Sequence, residues 1–213
     1  MSGTLKIGGN TKAENVNIKD LDVGGTAKVA GGEIRGKIGV GGKLKIKGNL
    51  KLSGSLNVGE VAKIDEKMEA ESIDVGDKLR ARRINASTSV NAGGEIATEE
   101  GVKAEIVQIG RKGRIRGVVV AKEVNLKEKS EAEDIYADTL TMREKTKARN
   151  IYAKRIYLEG FCRITEKSNI QMNLKAKKMY TSPPNPKSKL PTSSANLKNS
   201  INFPHKTQKC DLS

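Results

Sequence analysis

The chain of 213 residues holds one histidine, His205, two cysteines, Cys162 and Cys210, and no tryptophan. Aromatic residues are 3% of it, with phenylalanine only at Phe161 and Phe203. Each scarcity excludes something. Two cysteines, one inside a repeat and one far along the chain, do not make a disulfide framework, and two unpaired thiols in a reducing compartment are expected. No apolar run approaches the ~20 residues of a membrane-spanning helix. No charged-then-apolar leader opens the chain, so a cytoplasmic location is expected. A core nearly free of large rings must be narrow.

What is present is a phrase recurring about every seventeen residues: an aliphatic residue, one or two glycines, then an alternating stretch with lysine or arginine. It appears at Ile7-Gly8-Gly9, Val23-Gly24-Gly25, Val40-Gly41-Gly42, Val58-Gly59, Val75-Gly76, Ala92-Gly93-Gly94 and Ile109-Gly110, and continues without glycine at Leu126, Met142 and Leu158. The spacings, 16, 17, 18, 17, 17, 17, 17, 16 and 16, are too short for helix-pair repeats of about 33 residues or more. Ten such units fill residues 5–174.

Within each unit the residues alternate. Ala13, Val29, Ile46, Ile64, Ala81, Ile115, Ala132, Ala148 and Ile164 are expected to face inward. Lys28, Lys45, Lys63, Arg80, Arg114, Lys147 and Arg163 are expected outward, interrupted by Ala97 and Glu131. A period of two is strand behaviour. A second aliphatic column precedes each anchor by two residues, at Leu5, Leu21, Ile38, Leu56, Ile73, Val90, Val107, Val124, Leu140 and Ile156. A third falls mid-unit at Val16, Ile34, Leu50 or Leu52, Ile84, Val102, Val118, Ile135 and Ile151. Asp22, Asn57, Asp74, Asn91, Gln108 and Asn125, each just before an anchor, read with the glycines as corner residues, because these types tolerate tight or left-handed backbone.

Three inward columns per unit predict an all-β fold, a single-stranded three-sided β-helix (solenoid) of about ten coils. At about 4.8 Å per coil it is a rod of roughly 45 to 50 Å. Stacking is obligatory, since fixing each backbone residue costs about 1–2 kcal/mol while each buried aliphatic side chain returns about 1.5–3. Residues 1–4 form a short N-terminal tail. From residue 175 to 213 periodicity ends in Pro, Ser, Asn and Lys, which predicts a disordered tail. Eight lysines and one aspartate there carry +7 of the chain's +15 and leave +8 on the repeat.

The residues offer little for chemistry. His205 lies in the tail, whereas the acyltransferases and carbonic anhydrases built on hexapeptide β-helices are usually organised around histidine, on strict sixes. Glu66, Glu69, Glu71, Glu131, Glu133 and Asp134 fall on outward positions and read as solvated faces rather than as acid and base pairs. The glycines do not follow phosphate-loop spacing. Neither a catalytic residue, a metal, a cofactor nor a small-molecule substrate is expected. Tyr136 and Tyr152 hold the same place in consecutive units and read as a stacked surface pair, a nucleobase platform being the sharper alternative.

Two features remain. The repeat begins at Leu5 with nothing amphipathic ahead of it, and uncapped strand edges template pairing with another chain. The alternative is that the tail, through Met179, Tyr180 and Leu190, folds over one end. The candidate contacts of an end-to-end polymer are Leu5, Ile7, Val16 and Ile18 at one end and Leu158, Phe161, Ile164 and Ile170 at the other. The second feature is basic: Lys28, Lys45, Lys63 and Arg80 in one column, with Arg82, Arg83, Arg111, Lys112, Arg114 and Arg116 crowding the middle. Such a ladder suits nucleic acid or an anionic membrane through counterion release.

The phrases Val40-Gly41-Gly42-Lys43-Leu44-Lys45-Ile46-Lys47-Gly48-Asn49-Leu50 and Val23-Gly24-Gly25-Thr26-Ala27-Lys28-Val29 resemble those of the bactofilins, polymer-forming cytoskeletal proteins. The resemblance is best over residues 5–125. It implies a right-handed three-sided β-helix with disordered tails, assembling without nucleotide into filaments that scaffold partner proteins or associate with membranes. Ten coils, a four-residue N-terminal tail and a basic charge depart from the family's pattern. The expected partner is therefore the protein itself, as a homopolymer, with an unidentified protein held by the tail.

Overall fold

The computed structural model describes residues 3–165, with the backbone alone at 15 and 31–33. Beyond them it describes the backbone of three short strands, Ser168–Ile170, Leu174–Ala176 and Gln208–Lys209. The fold is all-β: every described strand joins one sheet, and apart from the antiparallel Gln208–Lys209 they wind into a parallel solenoid in which strands pair with those one repeat away. About nine turns are complete within 4–165. The tenth turn expected for 5–174 continues only as the backbone of the strands at 168–170 and 174–176. The boundary at 175 and the tail 175–213, with His205 and Cys210, otherwise lie outside the described residues.

The register confirms two of the three aliphatic columns without exception. Leu5 pairs with Leu21, Leu21 with Ile38, and so on to Ile156; Ile7 pairs with Val23, Val23 with Val40, and so on to Leu158. They form the first face of a three-sided core that contains no aromatic side chain among the described residues. The third face is built on Leu50, Met68, Ile84, Val102, Val119, Ile135 and Ile151. Here the expectation of Val118 fails: Val119 is fully buried, while Val118 is 37% exposed and Val120 45%. In the run Val118-Val119-Val120 all three residues are apolar, so hydropathy could not choose the phase. The register breaks between Ile115 and Val118, at Gly117 with its φ of +99°. Val16 and Ile34 are both buried but do not stack on one another; Val16 pairs with Gly32, and Ile34 with Ile18.

The second face changes its construction halfway along the rod. From Val23 to Ala27, and likewise up to Ala92 and Ile96, the corner from the first face steps four residues between inward side chains. From Ile109 to Ile115, Leu126 to Ala132, Met142 to Ala148 and Leu158 to Ile164 it steps six. Ile115 therefore stacks on Ile96 and Leu79, not in the column of Ala81, and Ala132, Ala148 and Ile164 follow it. The repeat length survives because the two residues gained at the corner are lost from the face. In the wider corners Lys112, Lys129 and Lys145 take left-handed backbone, with φ of 57°, 60° and 60°. The small side chains next to the last two turn inward. Ser130 is buried and donates its hydroxyl to the Lys127 carbonyl at 2.6 Å, and Thr146 Oγ1 donates to Cys162 Sγ at 3.3 Å. Cys162 is buried.

The narrow corners explain the glycines on grounds other than left-handed backbone. A Cβ on Gly59, Gly76, Gly93 or Gly110 would lie 1.9–2.0 Å from the carbonyl oxygen of the glycine one turn before, and none of the four has a positive φ. Glycine is required because consecutive turns touch backbone to backbone. The column ends with Gly110, in the first of the wider corners. Asp22, Asn57, Asp74, Asn91, Gln108 and Asn125 are not corner residues. They stack as one outward column inside the first-face strands, each flanked by two inward aliphatics.

Candidate functional site

Among the described residues no helix is long and apolar enough to cross a membrane, and no cluster of three or more histidine, cysteine or acidic side chains is placed to hold a metal. The surfaces that stand out are the ends of the rod, the second face and a groove beside the third face.

At the N-terminal end the strands Thr4–Ile7 and Thr11–Ile18 pair on one edge only, with Asp20–Val23 and Ala27–Ile34. No described residue pairs with their other edge. The side chains at the head of each column are uncovered to match: Leu5 is 38% exposed over a buried Leu21, and Ile7, Ala13 and Ile18 are half-buried over the buried Val23, Val29 and Ile34. Val16, also a candidate contact, is only 8% exposed and belongs to the core. At the far end Leu158 and Ile164 are half-buried. Phe161 sits in the corner between the strands Lys147–Leu158 and Arg163–Ile164 and is 69% exposed. Ile170 lies in a strand described by its backbone alone. The outer edge of Arg163–Ile164 is occupied: it pairs antiparallel with Gln208–Lys209, Arg163 opposite Lys209 and Ile164 opposite Gln208. Met179, Tyr180 and Leu190, the residues expected to mediate a tail cap, are outside the described residues.

The ten basic candidates do not form one surface. Lys28, Lys45, Lys63 and Arg80 stack directly, with Lys12 before them and Ala97 and Arg116 after, all on the second face. Arg114 belongs to the neighbouring column, between Glu95 and Glu131. Arg82 and Arg83 lie at the corner towards the third face, Arg111 and Lys112 at the corner from the first.

The arginines are engaged by carboxylates. Glu95 takes Arg80 at 3.1 Å and Arg116 at 3.3 Å; Glu100 takes Arg82 at 2.7 Å and Arg83 at 2.8 Å, and Glu66 also holds Arg82 at 3.3 Å. Arg111 pairs with Glu128 at 2.9 Å, and Glu131 bridges Arg114 at 3.0 Å and Lys147 at 2.8 Å. The hydrogen bond from Arg80 holds the Glu95 carboxyl below its ordinary value, and that from Lys147 does the same for Glu131. The sequence displays the cations but not their partners, because each partner sits about one turn away, 15 to 21 residues along the chain.

The groove was not anticipated. Its floor is a column of small residues, Ala70, Ala86, Ala104, Ala121, Ala137 and Ala153, whose spacing of 16 to 18 residues was legible in the sequence. One wall carries Val120, Tyr136 and Tyr152 in register. The other carries the ion pairs of Lys122 with Glu105 and of Lys154 with Asp138. The tyrosine rings stack with centroids 4.6 Å apart and planes 6° from parallel. That is the surface pair expected. In the column Tyr136 stands between Val120 and Tyr152, and the stack with Tyr152 covers one face of its ring.

No protein-family model, curated protein or solved structure matches this chain.

Proposed function

We propose that the protein is a structural, self-assembling rod that polymerises end to end through its terminal turns. The observation that carries this is the N-terminal edge. A parallel solenoid leaves half the backbone N–H and C=O groups of its first turn pointing along the axis, and here no described residue meets them. Leu5, Ile7 and Ile18 stand beside those groups as an apolar rim. Unpaired edges and exposed apolar columns both gain from covering by another β-solenoid end. The likeness of the repeat phrases to bactofilins points the same way.

The far end is the less open of the two, since Gln208–Lys209 occupies part of its edge. Assembly through the N-terminal end alone gives dimers of rods; filaments require that segment to yield. Negative-stain electron microscopy and sedimentation of the full chain, and of a chain ending at residue 177, test this at 50 mM and 500 mM salt. Rods joined at their ends under both conditions are expected, longer after truncation. Single short rods in both proteins at both salt concentrations would refute the reading.

A further inference from the structure

The second face has two electrostatic zones, and they differ in a way the fold does not require. Over the later turns one outward column reads Glu95, Arg114, Glu131 and Lys147, each charge lying against its opposite one turn away until Arg163 follows Lys147. Over the first turns the column beside it reads Lys12, Lys28, Lys45, Lys63 and Arg80 without an acid. Lys43 and Lys47 flank Lys45 on the same strand. Lys28, Lys45 and Lys47 have no acidic partner among the described residues. Arg80, at the end of the column, is paired with Glu95 at 3.1 Å; the other acids nearby are Glu14, Glu60 and Asp65, which stand 4.0, 3.9 and 4.0 Å from Lys12, Lys43 and Lys63, at the limit of ion pairing. A solenoid that places glutamate between cations in one half could do so in the other. A like-charged ladder at about 4.8 Å spacing is self-repulsive, and where it has no internal carboxylate, at Lys28, Lys45 and Lys47, external anions relieve it.

We propose that this lysine face, over the first five turns, is a docking surface for the phosphate backbone of a nucleic-acid duplex, bound without regard to sequence. Its dimensions fit. Lys12 to Arg80 is four steps, about 19 Å, and Lys43 to Lys47 is about 13 Å. Such a patch reaches phosphates on both sides of a major groove about 12 Å wide, along a duplex carrying one charge per ~1.7 Å. The face is flat, with neither helix nor aromatic to enter a groove, which makes the contacts positional rather than base-reading. An anionic bilayer is the poorer fit. A rod lying on a membrane would also present the glutamates of the later turns, and no exposed apolar side chain rises from the lysine zone to enter lipid.

The test is fluorescence anisotropy of the full chain with two unrelated 20-base-pair duplexes from 50 to 300 mM salt, beside co-sedimentation with vesicles containing 30% phosphatidylserine. The triple variant K28Q/K45Q/K63Q is compared with K112Q/K127Q/K129Q, which removes the same charge from a corner elsewhere. Circular dichroism is expected to be unchanged in both. The expected result is equal affinity for the two duplexes, at least tenfold loss in the first triple and less than threefold in the second. The slope of log affinity against log salt should shrink by about 2.7 in the first, as three lost phosphate contacts require. Equal loss in both triples, no loss in the first, or binding to vesicles but not to duplex would each overturn the proposal.

Discussion

Gly76 sits in the middle of the narrow-corner column, and its replacement by alanine has a cost that the structure allows to be worked out. The new Cβ would stand 1.9 Å from the Gly59 carbonyl oxygen and 2.9 Å from its carbon, both of them backbone. Contacts of this kind do not occur below 3.0 Å, so the two turns must part locally by about 1.1 Å. The ladder bonds at that corner, Gly76 N–H to Val58 at 2.9 Å and Asp77 N–H to Glu60 at 2.9 Å, would stretch to about 4 Å and cease to be hydrogen bonds. Losing two bonds, at about 1 kcal/mol each, with further cost for any group left unsatisfied, gives roughly 2–4 kcal/mol. Gly8 occupies the same column in the first turn with nothing within 4 Å of its would-be Cβ. Gly8→Ala should therefore be neutral, or stabilising by up to about 1 kcal/mol through the unfolded chain. Urea unfolding followed by circular dichroism, at one protein concentration, measures both. Equal midpoints for the two variants would refute the backbone-contact account of the glycine column.

Ile18→Asp places a carboxylate on the apolar rim at the N-terminal end. An uncompensated charge in a closed contact costs about 3–5 kcal/mol, so the concentration needed for end-to-end association should rise a hundredfold or more with the rod still folded; sedimentation equilibrium reads it. Glu95, Glu131 and Asp134 have carboxyls held below their ordinary values, first by hydrogen bonds from Arg80, Lys147 and Arg149 respectively. A depressed folded value contributes stability that is complete above the unfolded value and is lost as pH falls through the folded one. The melting temperature should therefore drop as pH descends below about 4.5, the ordinary glutamate value, and Glu131→Gln should flatten that drop. Lys129→Gly relieves a left-handed lysine at φ 60° and should raise stability by about 0.5–1 kcal/mol, measured by the urea midpoint.

The sequence alone determined the architecture, because a solenoid writes its long-range contacts into a short period. Leu5 to Ile156 and Ile7 to Leu158 could be listed as stacks without coordinates, since a spacing of 16 to 18 residues is itself the pairing register. Tertiary structure decided whatever depends on phase within a turn or on the neighbour above. Three valines in a row at 118–120 gave hydropathy no means of choosing the inward one, and a backbone kink at Gly117 chose it. The glycines looked like left-handed bends and proved to be points where one turn touches the next, a contact between residues that share no local geometry. The arginine cluster read as free charge because its glutamates lie a full turn away along the chain but within hydrogen-bonding distance across it. Periodicity is a property of one strand and survives in the sequence. Contact across turns depends on where each corner places the next strand, and the corner changes from four residues to six without altering the period that reveals it.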